Sequence, residues 1–255
     1  ALLHDHIIVK TTNSGNNWMV KTNSLNHYTP FKAIEFIDNN TAILGGWGSS
    51  SDHIFYKSTN SGVSWEGKYL YNYQNSTGYI YDVEFPSFST GYAVGGGNNK
   101  GYVYKSINSG DNWTKMDSIG NASANKCFFL NENTGFVVGR FNQIFKTTNG
   151  AVSWTAFPTS STNGFNSIYF TDYNTGYVCS GNANPQLIYK TTNNGSNWIQ
   201  IYSMTGSSFN DIYFVNSNTG YIAARGILKS SDGGNSWIQK APNHFDYFYG
   251  ICFSS

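Results

Sequence analysis

The 255-residue chain carries 15 Lys and Arg against 14 Asp and Glu, with charged residues at 11% and a formal net charge of +1. That balance excludes the basic footprint of a nucleic-acid binder, and no apolar run approaches the roughly 20 residues needed to span a bilayer, so direct membrane insertion is not expected. Aromatic residues at 17%, 27 Gly and only 5 Pro point instead to short strands and tight turns.

One nine-residue stretch is written six times: Lys10 to Trp18, Lys57 to Trp65, Lys105 to Trp113, Lys146 to Trp154, Lys190 to Trp198 and Lys229 to Trp237. Successive tryptophans lie 47, 48, 41, 44 and 39 residues apart, a period that belongs to architectures with one small sheet per repeat. Each repeat reads as four strands, A to D. Strand A is Phe31 to Phe36, Ile80 to Phe85, Asn125 to Leu130, Phe165 to Phe170, Phe209 to Phe214 and Phe248 to Phe253. A column of Ile34, Val83, Cys127, Ile168, Ile212 and Ile251 marks its packed face. Strand B opens on Thr-Gly-aromatic at Tyr92, Phe136, Tyr177 and Tyr221, where the glycine is expected to supply a positive φ and the ring to pack on the next sheet. Repeat one departs, with Thr41-Ala42-Ile43. Strand C is the short apolar run before each Lys, and strand D begins at each Trp.

The end of the chain, Phe248 to Phe253, is a strand A with nothing after it. Its start, Ala1 to Trp18, carries B, C and the start of D with no strand A before them. The expected fold is therefore all-β: a six-bladed β-propeller of four antiparallel strands per blade, closed by a blade shared between the termini. One domain spans 1–255, with blades at 31–69, 80–116, 125–157, 165–202, 209–240 and 248–255 plus 1–22. An open solenoid is the alternative, and the split terminal blade argues against it. Other repeats place about five more residues in the A–B turn than Ser254 and Ser255 provide, so a cut or trim inside that turn is expected.

The repeated motif, Ser/Thr-x-Asn/Asp-x-Gly-x-x-Trp, resembles the Asp-box, or bacterial neuraminidase repeat. Asn13, Asn60, Asn108, Asn149, Asn193 or Asp232 accepts backbone N–H groups across the turn, and Trp18, Trp65, Trp113, Trp154, Trp198 or Trp237 covers it. Ala151 stands at the glycine position of the fourth copy, so that turn is expected to differ. Six copies with one carboxylate between them are poor calcium ligands. The six lysines before the boxes form either a basic ring or strand ends whose stems cover an aromatic.

Together with Asn-Thr-Gly-aromatic-apolar-apolar-Gly in strand B, as at Asn133 to Gly139, the box makes the chain similar to the photosystem II assembly-factor-like propellers over essentially its whole length. That resemblance implies an exported or cell-surface bacterial protein, placed outside the cell or in the periplasm. The photosynthetic members carry seven blades and an arginine patch, whereas this chain has six repeats and only Arg140 and Arg225.

In Asp-box propellers the binding face lies opposite the boxes. Here it would gather Trp47, Asp52, His53, Lys100, Arg140 and Arg225 at a mouth, with His4 and His6 beside it and Asp82, Lys126 and Asp211 lining the channel. Two arginines cannot form the triad of a sialidase. Asp82, Glu84, Asp211 and Glu35 leave open a two-carboxylate glycosidase. His4, His6 and His53 are read as loop histidines rather than a metal site, and no metal or cofactor is expected. Tyr69, Tyr71 and Tyr73, on the longest D–A connection, are candidate partner contacts, and packing on their own blade is the alternative. Cys127, Cys179 and Cys252 are read as buried free thiols. The function expected is a non-catalytic module binding a protein partner or joining a larger surface assembly; the alternative is carbohydrate binding or hydrolysis at the same mouth.

Overall fold

The computed structural model describes residues 2–3, 7–13, 15–21, 30–48, 55–71, 78–97, 99–159, 161, 164–181, 184–206, 208–240 and 248–253. Among them there are strands and turns and no helix, and so no helix long and apolar enough to cross a membrane. The first sheet holds β1 (Leu2–Leu3), β2 (Ile7–Lys10) and β3 (Met19–Lys21). Next come β4 (Phe31–Phe36), β5 (Ala42–Gly48), β6 (Phe55–Ser58) and β7 (Glu66–Tyr71). They are followed by β8 (Gly78–Glu84), β9 (Gly91–Gly97), β10 (Lys100–Ser106) and β11 (Asn112–Ile119). A further sheet is β12 (Ala124–Phe129), β13 (Gly135–Gly139), β14 (Phe141–Thr147) and β15 (Thr155–Pro158). The last two are β16 (Phe165–Phe170), β17 (Gly176–Ser180), β18 (Gln186–Thr191) and β19 (Ile199–Met204), then β20 (Asp211–Phe214), β21 (Gly220–Ala224), β22 (Gly226–Ser230) and β23 (Ile238–Gln239).

Within each group the strands pair antiparallel with their sequence neighbours. The β4–β7 and β8–β11 groups are also joined into one eight-stranded sheet. Strand β7 leaves β6 after Lys68, and Tyr69, Leu70 and Tyr71 run parallel to Asn112, Trp113 and Thr114 of β11. The crossing is pinned by Asp111, 3.1 Å from Lys57 and 3.2 Å from Lys68. Burial pushes the Asp111 carboxyl up, but the two ammonium groups outweigh it and hold it below the usual range.

The A–B junction glycines do not adopt the positive φ expected of them. They are required by close approach. A Cβ on Gly176 or Gly220 would lie 2.6 Å from the ring of Phe170 or Phe214, and Phe85 and Phe129 cover Gly91 and Gly135 in the same way. Three of these Phe rings are then stacked by the strand-B aromatic of the preceding sheet: Tyr92 on Phe129 at 3.6 Å, Phe136 on Phe170 at 4.5 Å and Tyr177 on Phe214 at 4.1 Å. The box tryptophans meet the same rings edge-on, Trp154 on Phe129, Trp198 on Phe170 and Trp237 on Phe214.

All six box turns share one hydrogen-bond scheme. The first Ser or Thr hydroxyl accepts the N–H of the residue at the glycine position, as at Ser106 and Gly110 (2.9 Å). The Asn or Asp side chain accepts an N–H four residues on, as at Asn60 and Ser64 (2.9 Å) or Asp232 and Ser236 (2.9 Å). The fourth turn is not different. Ala151 takes φ +68°, its N–H reaches Thr147 at 3.1 Å, and Ser153 N–H reaches Asn149 at 2.9 Å. Gly150 before it, also at positive φ, carries the residue that in three other copies is the non-glycine Ser61, Ser109 or Asn194. Nor do all six tryptophans close their turns alike: Trp113 is fully buried, whereas Trp18 is 52% exposed.

Four of the box lysines cover an aromatic as the strand-end reading expects: Lys105, Lys146, Lys190 and Lys229 lie over strand-B rings, with Lys190 Nζ 5.2 Å from the Tyr177 centroid. They are not simply solvated, because several ammonium groups reach the next box. Lys10 donates to Ser61 O (2.7 Å), Lys105 to Gly150 O (3.1 Å) and Lys190 to Gly233 O (3.0 Å).

Residues 248–253 form no strand ladder, contrary to the strand A expected there. The strand beside which they would lie, β1, is two residues long and offers almost no ladder. Even so, the segment makes the contacts a strand A makes with the sheet before it. Asn210 donates to Phe248 O (2.8 Å), Ile251 N–H to Asp211 (3.0 Å), and Tyr221 lies 4.7 Å from Phe253. Cys127 and Cys179 are buried free thiols, but Cys252 is exposed, because this segment is not sandwiched within a sheet.

Candidate functional site

The strand-A columns converge on one cavity of about 830 Å³. It is lined by Lys32 of β4, Tyr81 and Asp82 of β8, Asn125 and Lys126 of β12, Asn166 of β16, Asn210 and Asp211 near β20, and Tyr249 and Gly250 of the terminal segment. Arg140, in the turn between β13 and β14, and Gly164, ahead of β16, also line it. The cavity therefore opens at the end of the strands opposite the box turns.

An asparagine ladder builds its wall. Asn125 donates to Phe165 O (2.9 Å), Asn166 to Phe209 O (2.9 Å) and Asn210 to Phe248 O (2.8 Å). Each amide thus ties the start of one strand A to the start of the next. These residues were not singled out from the sequence, although they stand one place before the Lys126 and Asp211 column, which is the signal that finds them.

The carboxylates along the cavity are committed to the scaffold. Asp82 Oδ1 lies 3.2 Å from Lys126 Nζ, and its Oδ2 accepts Cys127 N–H at 3.0 Å. Asp211 Oδ1 accepts the Ser167 hydroxyl at 2.6 Å, and its Oδ2 accepts Ile251 N–H at 3.0 Å. Glu84 accepts Phe129 N–H at 2.7 Å. Asp82 outweighs burial and holds the Lys126 ammonium well above its usual range. Burial drives the Glu84 carboxyl well up, with Asp82 adding to it. Burial, helped by Asp82 and opposed by Lys126, raises Glu35 to about 7.

Of the expected mouth residues, Asp82, Asp211 and Arg140 come together with Lys126. Trp47 does not line the cavity; it sits in β5 opposite Tyr79 of β8, their rings 6.5 Å apart, where the two groups fuse. Lys100, exposed at the start of β10, and Arg225, between β21 and β22, also stand off the lining. Asp52, His53, His4 and His6 lie outside the described residues, as does Tyr73. Tyr69 and Tyr71 belong to strand β7 rather than to a loop. Among the described residues no group of three His, Cys, Asp or Glu is placed to hold a metal ion.

No protein-family model and no curated protein matches the sequence. Solved structures do match. YCF48 bound to D1 peptide superposes with a TM-score of 0.74 at 19% identity, over 98% of this chain and 79% of its own. The fold is a YCF48-type β-propeller. YCF48 from Cyanidioschyzon merolae superposes at 0.67 with 16% identity, over 92% and 78% of the two chains. An ancestral GH74 enzyme superposes at 0.64 with 17% identity; the match takes in 90% of this chain but only 34% of the enzyme.

Proposed function

We propose that this chain is a non-catalytic propeller of the YCF48-like family, which binds a protein partner through the face where the central cavity opens. The likeness to YCF48 bound to D1 peptide carries this reading. The chemistry of the cavity agrees with it. Asp82 and Asp211 each spend both oxygens on backbone N–H groups, a hydroxyl or Lys126, and Glu84 accepts Phe129 N–H, so these three acids serve the scaffold. The D1 client is not carried over to this chain.

The architecture in this reading is a single domain of six blades, with residues 248–253 and 1–22 sharing the last. Two contacts support it. Lys10 reaches the box carbonyl of Ser61 as Lys190 reaches that of Gly233, and Ile251 meets Asp211 as Cys127 meets Asp82. The box turns are read as Asp-boxes with a structural role. An exported or cell-surface bacterial location completes the reading, supported by the resemblance of the repeats to exported propellers.

Photo-crosslinking in source cells tests the binding face. A benzophenone amino acid in place of Tyr249, which is 80% exposed at the cavity, should capture one defined partner, and the same probe at Ile107 on the box side should not. Equal capture from both positions would sink the assignment.

Carbohydrate recognition is the second reading, favoured by Tyr81 and Tyr249 in the cavity lining and by the GH74 likeness. Specific glycan-array binding lost on Tyr249→Ala would establish it.

A further inference from the structure

The outer strand of a sheet directs half of its N–H and C=O groups away from its neighbour, where a further strand can take them unless the edge is protected. Five of the six outer strands carry such protection. Strand β3 is three residues long and ends on Lys21, and β23 is two residues long with Lys240 next. Strand β15 is four residues long and ends on Pro158, which has no N–H to offer. Strand β7 carries Glu66 and Lys68, and its Tyr69, Leu70 and Tyr71 cover the edge of β11 at Asn112, Trp113 and Thr114.

Strand β19 has none of these. It is outermost in the β16-β17-β18-β19 sheet, and among the described residues no strand pairs with its far edge. Its six residues, Ile-Gln-Ile-Tyr-Ser-Met, include no charge and no proline. Ile199 is 61% exposed, and Gln200 and Ser203 are exposed with it. A bulge lies at Ile201, between the pairs Tyr189–Gln200 and Ile188–Tyr202. That irregularity does not close the edge. Strand β11 is bulged at the same place after its Trp, beyond Lys115, and still takes β7 just upstream, where Thr114 stands as Ile199 does in β19.

We propose that the edge of β19 receives an extended, uncharged segment of a partner protein, as the edge of β11 receives β7. Main-chain hydrogen bonds hold the added strand, and the exposed Ile199 with the half-buried Tyr202 favours β-branched or aromatic residues opposite them. A charged residue there finds no counter-charge on β19. A second copy of the chain is the poorer fit. Two six-residue strands paired edge to edge bury far less than the roughly 1,600 Å² of a standard interface between proteins, whereas strand addition by an extended segment needs the edge alone. No residue of β19 lines the central cavity, so failure of this assignment would leave the proposed function standing.

The probe is a fluorescein-labelled, amidated hexapeptide reproducing residues 69–74, Tyr-Leu-Tyr-Asn-Tyr-Gln, whose first three residues are those that pair with β11. Its anisotropy, titrated with the intact 255-residue chain, should show saturable binding below about 1 mM protein. Hydrogen exchange should slow in β19 and in no other outer strand. An added strand bonds through alternate residues only, so N-methylation of the peptide at Tyr69 and Tyr71, or at Leu70 and Asn72, should abolish binding in one phase and spare it in the other. Ile199→Lys should weaken binding about fivefold, and Ile238→Lys, similarly exposed on β23, should leave it unchanged. Both side chains are exposed, so neither change threatens the fold. Absence of binding, the same result from both N-methyl phases, exchange protection outside β19, or indifference to Ile199→Lys would each overturn the assignment. So would a chain that sediments as a dimer and returns to monomer on Ile199→Lys, which would give the edge to a second copy.

Discussion

Lys190 Nζ lies 3.0 Å from the carbonyl oxygen of Gly233, 43 residues away in the next repeat. The same bond joins Lys10 to Ser61 and Lys105 to Gly150, so the box lysines are staples between repeats whose ammonium groups satisfy carbonyls that the turn leaves pointing outward. Lys190→Met keeps the stem over Tyr177 and removes the donor. It should cost about 1–2 kcal/mol, read as a lower urea midpoint with an unchanged m-value.

The box tryptophans are chemically alike and energetically unequal. Trp113 is fully buried, stacked 4.3 Å from Phe55 and edge-on to Phe85. Trp113→Ala should cost about 3–5 kcal/mol through the cavity left behind. Trp18 is 52% exposed, and Trp18→Ala should cost less than about 1 kcal/mol. Equal losses at the two sites would refute the packing described.

Ser109 holds φ +55° just before Gly110 in the third box. A side chain in the left-handed region is strained relative to glycine, so Ser109→Gly should stabilise by about 0.5–1 kcal/mol, the relieved strain being partly offset by the freer unfolded chain. Thermal unfolding should show a small rise in Tm. A fall would mean that the turn gains more from the serine than its backbone loses.

Stability should decline as pH rises through the weakly acidic range. Glu35 is raised from 4.5 to about 7 by burial and by Asp82, so the folded state binds more protons than the unfolded one between those values. Unfolding free energy then falls with increasing pH across that window, by on the order of 3 kcal/mol for a shift of this size, and levels off above pH 7. Glu84, also raised, acts in the same direction. On the acid side the sign reverses. Asp232 is held down to about 2 by hydrogen bonds from Ser236 and Ser230, and that contribution, present above the ordinary carboxylate range, is lost as pH falls toward 2. A Tm maximum near pH 4–5 is expected, and Glu35→Gln should flatten the decline from pH 5 to 7. A wild-type Tm that rises across that interval would contradict the environment assigned to Glu35.

Much of the fold was legible in the chain because its determinants are local and repeated. The box turn needs only a hydroxyl, an amide or carboxylate two places on, and a backbone able to turn left-handed; those elements recur in order, and all six turns close alike. The strand-A Phe and strand-B aromatic are likewise local signals, and their stacking follows once the sheets are set side by side.

Tertiary structure decided what depends on the neighbouring repeat. The junction glycines are required by a Phe ring from their own sheet's first strand, not by φ, and no local pattern distinguishes those reasons. Whether Ala151 breaks its turn depended on its taking the left-handed conformation itself, which preserves the two successive left-handed residues seen at Ser61 and Gly62 or at Ser109 and Gly110. Asp82 and Asp211 stood out as candidate acids because sequence shows their charge; only packing shows that Cys127, Ser167 and Ile251 donate to them. Trp47 and Lys100 were grouped with Arg140 by loop position, but side-chain direction across a fused sheet separates them. Sequence by itself thus determined the repeat, its turns and which aromatics recur, since each of these is written within a few residues. The cavity, the ring stacks and the engaged carboxylates were decided by contacts some 40 residues apart along the chain, which exist only once one repeat is packed against the next.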